Sequence, residues 1–363
     1  MSIATFLSKL LIEDNPSSEL CRWKLKILVT GGAGYIGSTI CSALEDGGHV
    51  PVIVDSLVTG RREFVGDRAF YEADIADRSV IETIFREHPE IELAIHCAAL
   101  VVVPDSVRRP YEYYRENVSK SLDLFRLLSD VGCRKVVFSS SASIYDFVPG
   151  FMVTEESPLK PLSPYARTKY MMEMILSDMC AAYDMKAISL RYFNPIGADP
   201  KMRSGIQAQE PSHVLGKLVS VALGKEPAFN ITGTDWPTRD GTGLRDYVHV
   251  WDLAMAHVIA ADQFDRAFEK SEVHGANYLV INLGTGRGVT VRELVEAFEK
   301  VYGQEIGKRD APPRPGDVAG AYANADRARE LLGWEAEMSI EQGIADALQW
   351  GKVREDMLGF FET

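Results

Sequence analysis

Of the 363 residues, 46% are hydrophobic and 25% charged, the composition of a globular chain long enough for one large α/β domain and a smaller lobe. Acidic residues outnumber basic ones 52 to 39, and the net charge of -13 leaves no basic face to collect the phosphates of nucleic acid or of an anionic membrane. Five scattered cysteines (Cys21, Cys41, Cys97, Cys133, Cys180) without C-x-x-C spacing fit reduced thiols in a cytoplasm, and neither they nor the seven histidines show metal-site spacing.

Residues 1–24 precede the fold proper. Their apolar residues (Phe6, Leu7, Leu10, Leu11, Ile12) fall on one helical face, which reads as a small helix on the core or an arm. A basic leader and a small-residue cleavage site are missing, and no apolar run reaches the length of a membrane span.

The organising stretch is Thr30-Gly31-Gly32-Ala33-Gly34-Tyr35-Ile36-Gly37, which follows the apolar run Lys26 to Val29 and opens a helix-patterned segment, Tyr35 to Gly47. This is the strand-turn-helix of a dinucleotide-binding fold. Gly31 permits the tight turn, Gly34 lets a pyrophosphate approach the backbone, and Gly37 allows helix and strand to pack closely. The N–H groups at the helix start, from Tyr35 onward, face the phosphates. The next strand, Val50 to Val54, ends on Asp55, about 20 residues past the glycines, where a ribose-binding carboxylate belongs. That acid favours NAD over NADP, because it bonds a ribose diol and repels a 2′-phosphate; Arg61 and Arg62 close behind it are the counter-indication.

Strand-helix alternation continues through Ala69 to Glu72, Ser79 to Glu87 and Glu92 to His96, predicting parallel strands with crossover helices. Asp74, at the end of the third strand, reads equally as an acceptor for an adenine amine or as a turn or helix-cap carboxylate. His96 reads as a packed strand-end residue. Asn117 lies within a long helical segment, Tyr111 to Val131, and either reaches back to the fourth-strand loop beside a ligand or struts helix to loop. The fifth strand, Lys135 to Phe138, opens onto Ser139-Ser140-Ser141-Ala142-Ser143-Ile144-Tyr145, placing serines where open α/β sheets bind ligands. A helix from Tyr165 to Tyr183 begins after Pro164. Within it Tyr165 and Lys169, at i and i+4, share one face. A phenol of pKa about 10 is a poor base at neutral pH, and a nearby cation together with a bound nicotinamide charge would lower it.

Beyond Arg191-Tyr192-Phe193-Asn194-Pro195 the alternation loosens. The spacing predicts a helix from Val214 to Leu223 and a glycine turn with a strand over Asp240 to Val250, from which Arg245 projects. A stiff loop, Pro312 to Asp317, presents Arg314. Two arginines in an acidic chain suit a diphosphate, since guanidinium forks match phosphate oxygens. The helices Ala325 to Leu332 and Ser339 to Trp350 read as structural.

Taken together, GGAGYIG, Ser141-Ala142-Ser143-Ile144-Tyr145, YARTK, RYFNPIGA, DWPTRDGTGLRDYVHV and PRPGDVAGAYAN resemble the extended short-chain dehydrogenase/reductases from Lys26 to Trp350. The resemblance implies a Rossmann-type doubly wound parallel sheet over 25–195, with a segment near 240–262 returning to it, and a smaller C-terminal α/β lobe over 196–363 that binds a UDP-sugar. It implies a Ser141, Tyr165, Lys169 triad. It places NAD against Gly31, Gly34, Tyr35, Ile36, Gly37, Asp55, Asp74, Ile75, Asn117, Lys169 and Tyr192. The UDP-sugar would meet Ser141, Ser143, Tyr165, Asn194, His213, Val214, Arg245, Arg314, Asp317 and Ala321. The implied activity is NAD-dependent inversion of C4 of UDP-glucose and UDP-galactose through a transient 4-keto sugar, by a homodimer. The alternatives are another UDP-sugar (a uronate or pentose), a dehydratase or oxidoreductase, and a non-catalytic NAD sensor. Dehydratases of this fold carry Asp-Glu beside the catalytic serine or threonine, where this chain has Ala142-Ser143. Three departures from the family pattern bear on sugar specificity: Asp146 follows Tyr145 where glycine is common, Leu100 to Val103 lacks a lysine, and His213 replaces an asparagine. Ala321, in place of a bulky residue, leaves room for an N-acetylated sugar.

Overall fold

The computed structural model describes residues 24–271, 275–313 and 317–360. The first strand, β1 (Lys26–Thr30), enters α1 (Tyr35–Asp46) through the glycine turn and returns as β2 (Val50–Asp55). There follow β3 (Ala69–Glu72), α2 (Arg78–Glu87), β4 (Leu93–His96), α3 (Lys120–Asp130), β5 (Lys135–Ser141), α4 (Pro164–Ala182) and β6 (Lys186–Tyr192). A much later strand, β7 (Tyr278–Leu283), completes a seven-stranded sheet in the order β7-β6-β5-β4-β1-β2-β3. Every pairing in it is parallel. Chain order reverses between β1 and β4, so a crevice opens at their carboxyl ends, the position at which open α/β sheets take their ligands.

The strands are apolar because both faces are covered. Side chains alternate: Ile27 and Val29 join one core layer, Leu28 the other. The first layer is roofed by α1 and by α6 (Val250–Asp262), together with Phe264, Phe268 and Trp334; the second is roofed by α2, α3 and α4. More of the C-terminal half therefore returns to the large sheet than 240–262 alone. The long helix expected over Tyr111 to Val131 begins at Pro110 and carries a π-turn over Tyr114–Ser119 before α3.

The smaller lobe has its own core, in which α5 (Val214–Ala222), α7 (Val291–Tyr302) and α8 (Ile340–Leu358) pack through Leu215, Leu218, Phe298 and Ile344. Its strands are short. Leu244–Arg245 lies between Val289–Thr290 and Gly320–Ala323, and the latter pairs with Met152–Val153. The strand expected after the glycine turn is broken in two at Asp246, resuming as Tyr247–His249 beside Asn194–Ile196. The break has a physical cause. The fully buried Asp246 carboxylate accepts hydrogen bonds from Thr285 N and Oγ1, Gly286 N and Ala323 N, so it turns inward to knit three chain segments. The residues before 24, with Cys21, and Arg314 lie outside the described residues.

Candidate active site

At the turn after β1 the three glycines have distinct roles. Gly31 adopts φ +70°, and a Cβ there would stand 2.7 Å from the backbone nitrogen of Ala98; a Cβ on Gly37 would strike the Gly31 carbonyl oxygen at 2.1 Å. These two are demanded by the protein's own packing. Gly34 differs: a Cβ there would meet nothing nearer than the Gly31 oxygen at 3.4 Å, so its bareness keeps open a surface outside the protein. Gly34 is also the N-cap of α1, with no side-chain cap and no acid in the first turn, which leaves the positive end of the helix for an anion. The Asp55 carboxylate stands at the end of β2, accepting from Ala33 N (3.0 Å) and Leu57 N (2.8 Å). Burial raises its pKa and those two N–H groups oppose the rise. Bare glycine, uncapped helix and acid together fit a dinucleotide.

Other residues assigned to the cofactor are held in ways the sequence left open. The Tyr35 hydroxyl donates to Gly197 O (2.7 Å) in the other lobe, and the side chains of Ile36 and Ile75 pack against the two core layers. Asp74 pairs with Lys120 and accepts from Ala76 N; the helix cap is Asp77, which accepts from Ser79 N and Val80 N. Asn117 does reach back to the fourth-strand loop: its amide is bonded to both the N–H and the carbonyl of Leu100 and to Thr168 Oγ1. His96 is a packed strand-end residue, bonded to Thr30 and Ser121 and stacked on Phe138. Arg61 lies over the Phe360 ring and Arg62 over Phe70.

The serine-tipped strand runs further than expected, to Ser141. Its last hydroxyl donates to Ser143 Oγ (2.9 Å) and lies close enough to the Tyr165 phenol to favour its ionised form. Tyr165 and Lys169 both point from α4 into the sheet and are almost wholly buried. The Lys169 ammonium donates to Ser139 O (2.8 Å) and stands 5.0 Å from the centre of the Phe138 ring. Burial lowers its pKa to about 8, while Cys97 and Glu173 pull it upward. The lowered phenol expected of the Tyr165, Lys169 pair is not produced by the protein groups alone. Burial raises the Tyr165 pKa, and only the Ser141 hydrogen bond acts against it. Tyr192, close to Tyr165 and Ser139, completes the cluster.

Across the crevice, Arg245 leaves its short strand and folds over the carbonyls of Leu244, Val318 and Ala319, next to Asp317. Ala321 is its partner in register and packs in a small apolar cluster with Phe193 and Tyr145. Asn194 opens a strand beside Tyr247, its N–H donating to Asp246 O (3.0 Å). His213 is the N-cap of α5, accepting from Gly216 N (3.2 Å); burial pushes its pKa down to about 4, so it is neutral near pH 7, and Val214 follows as the first helical residue. The Asp146 carboxylate accepts from Phe147 N and faces Lys160 at 3.8 Å.

Three residues in this region have no assigned role in the sequence reading: Asp246, Glu173 and Arg191. The available signals were a charged residue inside the apolar strand Ala187 to Leu190 and its continuation, and a glutamate one turn beyond Lys169 on the same helix face. Among the described residues no group of side chains could hold a metal ion, and no helix is long and apolar enough to cross a membrane.

A parallel sheet with a glycine turn at its switch point, and a buried serine at the end of β5 meeting a tyrosine and a lysine of α4, define a dinucleotide-binding class of Rossmann protein. The sequence profile of the NAD dependent epimerase/dehydratase family matches residues 27–277, and the chain belongs to that family. It is similar to UDP-glucose 4-epimerase of Bacillus subtilis (strain 168), 41% identical over 336 residues that span 90% of this chain and 96% of the relative. Among solved structures it resembles UDP-glucose-4-epimerase from Stenotrophomonas maltophila with bound NAD and formylated UDP-arabinopyranose: TM-score 0.84, 37% identity, 92% of this chain and 99% of that one. It also resembles the UDP-Glc/GlcNAc 4-epimerase from Campylobacter jejuni, with TM-score 0.75, 32% identity, and 90% and 99% coverage.

Proposed function

We propose that this protein is an NAD-dependent UDP-sugar 4-epimerase that interconverts UDP-glucose and UDP-galactose, with Ser141, Tyr165 and Lys169 as its proton-transfer group. The observation that carries the reading is the buried meeting of Ser141, at the carboxyl end of β5, with Tyr165 at the start of α4, and the Lys169 ammonium held one helical turn away against Ser139 O. NAD, held by the β1 turn, the start of α1 and Asp55, supplies a reversible acceptor for the C4 hydride and a positive charge near the phenol. Tyr165 takes the proton of the sugar O4, directly or through Ser141, and returns it after the sugar has turned over. Lys169 keeps the phenolate stabilised in a site where burial opposes it.

Inversion requires that the nucleotide be gripped while the sugar stays free to present either face. Arg245, Arg314, Asp317 and the start of α5 at His213 are the grip in this reading, and Ala321 faces the sugar. The neutral His213 acts as a hydrogen-bonding cap of α5 and adds no charge to the nucleotide site. A small residue at Ala321 supports activity on the N-acetylated pair, and the neighbour solved with a formylated arabinopyranose supports a pocket tolerant of substituents.

The reading extends to a cytoplasmic homodimer in galactose metabolism. Reduced cysteines support the first, and exposed apolar Leu122 on α3 and Met174 on the adjoining α4 support a two-fold contact through those helices. The test is to incubate purified protein with UDP-glucose, UDP-galactose, their N-acetylated counterparts and the UDP-pentose and UDP-uronate pairs, resolving C4 epimers by chromatography. Interconversion of the glucose and galactose forms without net NADH is expected. No epimer of any UDP-sugar, or stoichiometric NADH, would overturn the reading.

A further inference from the structure

Beneath the serine loop lies a buried ion pair that the proton-transfer chemistry does not use. Arg191, the next-to-last residue of β6, donates to both carboxylate oxygens of Glu173: Nε to Oε1 at 3.0 Å and Nη2 to Oε2 at 2.6 Å. Both side chains are about 95% buried. A pair so placed contributes little net stability, since desolvating two charges offsets their attraction. Its partners give it a different role. Glu173 Oε1 also accepts from the Ser140 hydroxyl, immediately before Ser141 on β5. Arg191 Nη1 donates to the Tyr145 hydroxyl (2.9 Å), which donates in turn to Asn282 Oδ1 (2.7 Å) on β7. The Tyr145 ring then packs in the cluster containing Phe193 and Ala321. One pair thus grips both ends of the serine loop, Ser140 and Tyr145, and reaches the wall across from it.

The pair also faces Lys169. Glu173 lies one turn further along α4 and favours the ammonium form that burial opposes. The other ionisable groups near that lysine are Cys97 and His96 at the end of β4 and Tyr165 one turn before it, with Tyr192 beside Tyr165. Arg191, bonded to Glu173, has its charge balanced there.

We propose that Glu173 and Arg191 are positioning residues for epimerisation: they fix the serine loop from both ends, so that Ser141 and the Ser139 carbonyl present Tyr165 and Lys169 in reacting geometry. This rests on the reading of Ser141, Tyr165 and Lys169 given above. Removing one charge strands the other, and the variant can fail to fold. Two variants avoid that. Tyr145→Phe removes the link from Arg191 to the loop, together with the Tyr145 to Asn282 hydrogen bond, and leaves the ion pair itself in place. The double variant Glu173→Leu with Arg191→Met replaces the pair by apolar groups of similar volume, so that no charge is stranded and only the neutral Ser140 and Tyr145 hydroxyls lose a partner.

The experiment measures kcat, KM for UDP-galactose and the pH profile of kcat, with the thermal midpoint as a fold control, on holoenzyme. The expected result for the double variant is a midpoint near wild type, kcat lower by about 100-fold and little change in KM, the mark of lost positioning. Its alkaline limb moves to lower pH, because Lys169 loses the carboxylate that keeps it protonated. Tyr145→Phe loses about tenfold in kcat. A folded double variant with wild-type kcat and pH profile overturns the inference and leaves the pair merely structural. A double variant that misfolds while Tyr145→Phe keeps full kcat overturns it as well. Tyr165→Phe is run alongside: if that protein still turns over, the assignment of the proton-transfer group has failed, and if it is inactive while the double variant is not, only this inference has.

Discussion

The cofactor side and the sugar side of the crevice are built on different principles. The proposed phosphate and ribose cradle on the cofactor side is contiguous: β1, the glycine turn, α1 and Asp55 occupy 30 residues, and what they offer a ligand is chiefly backbone. The sugar side is assembled from strands of two to four residues drawn from 152–153, 194–196, 244–249 and 320–323, tied by the Asp246 carboxylate. A contiguous backbone cradle is rigid and indifferent to neighbouring sequence. A patchwork fastened by side chains can change its lining one residue at a time, which suits a fixed cofactor and variable sugars.

The largest effect expected is at the meeting line of the two sides. Tyr165→Phe removes the proposed proton acceptor and leaves the packing volume nearly unchanged, so turnover should fall about 1000-fold with fold and NAD retention intact, read by epimer chromatography and the cofactor released on denaturation. Near-normal turnover would remove the meeting line altogether. Asp246→Ala breaks the sugar side selectively. It strands the donors of Thr285, Gly286 and Ala323, at a cost of about 2–4 kcal/mol in unfolding free energy by denaturant titration. KM for the UDP-sugar should rise more than the dissociation constant for NAD. Equal losses on both sides would show that the two are one cooperative unit.

Ala321→Tyr sharpens the comparison from within. The tyrosine would project among Phe193 and Tyr145 and occupy the volume of a 2-acetamido group, lowering kcat/KM for the N-acetylated pair about 100-fold and sparing UDP-glucose. A variant that handles both pairs as wild type does would show that the gate lies elsewhere. The smallest effect is in pH. With Lys169 lowered to about 8, its ammonium is lost as pH rises through that value, and with it the support of the phenolate. Turnover is therefore expected to decline above about pH 8, whereas free Lys side chains titrate near pH 10.4. His213, lowered to about 4, contributes no change between pH 5 and 9. A profile flat to pH 10 would detach Lys169 from the chemistry.

Sequence by itself determined whatever is local. The tight turn at Gly31, a helix start within one residue of Pro164, the i, i+4 spacing of Tyr165 and Lys169 and the acid closing β2 are all consequences of backbone geometry within a few residues. Tertiary structure decided what depends on residues distant in the chain. Asp74 takes Lys120 as its partner while Asp77 caps the helix, because only the fold brings α3 against the end of β3. Tyr278 to Leu283 joins the large sheet beside β6, though nothing in its immediate sequence names that neighbour. The protein groups by themselves raise the Tyr165 phenol, because desolvation depends on everything packed around a group and an i, i+4 spacing specifies only one of its neighbours; the expected lowering included a bound nicotinamide charge.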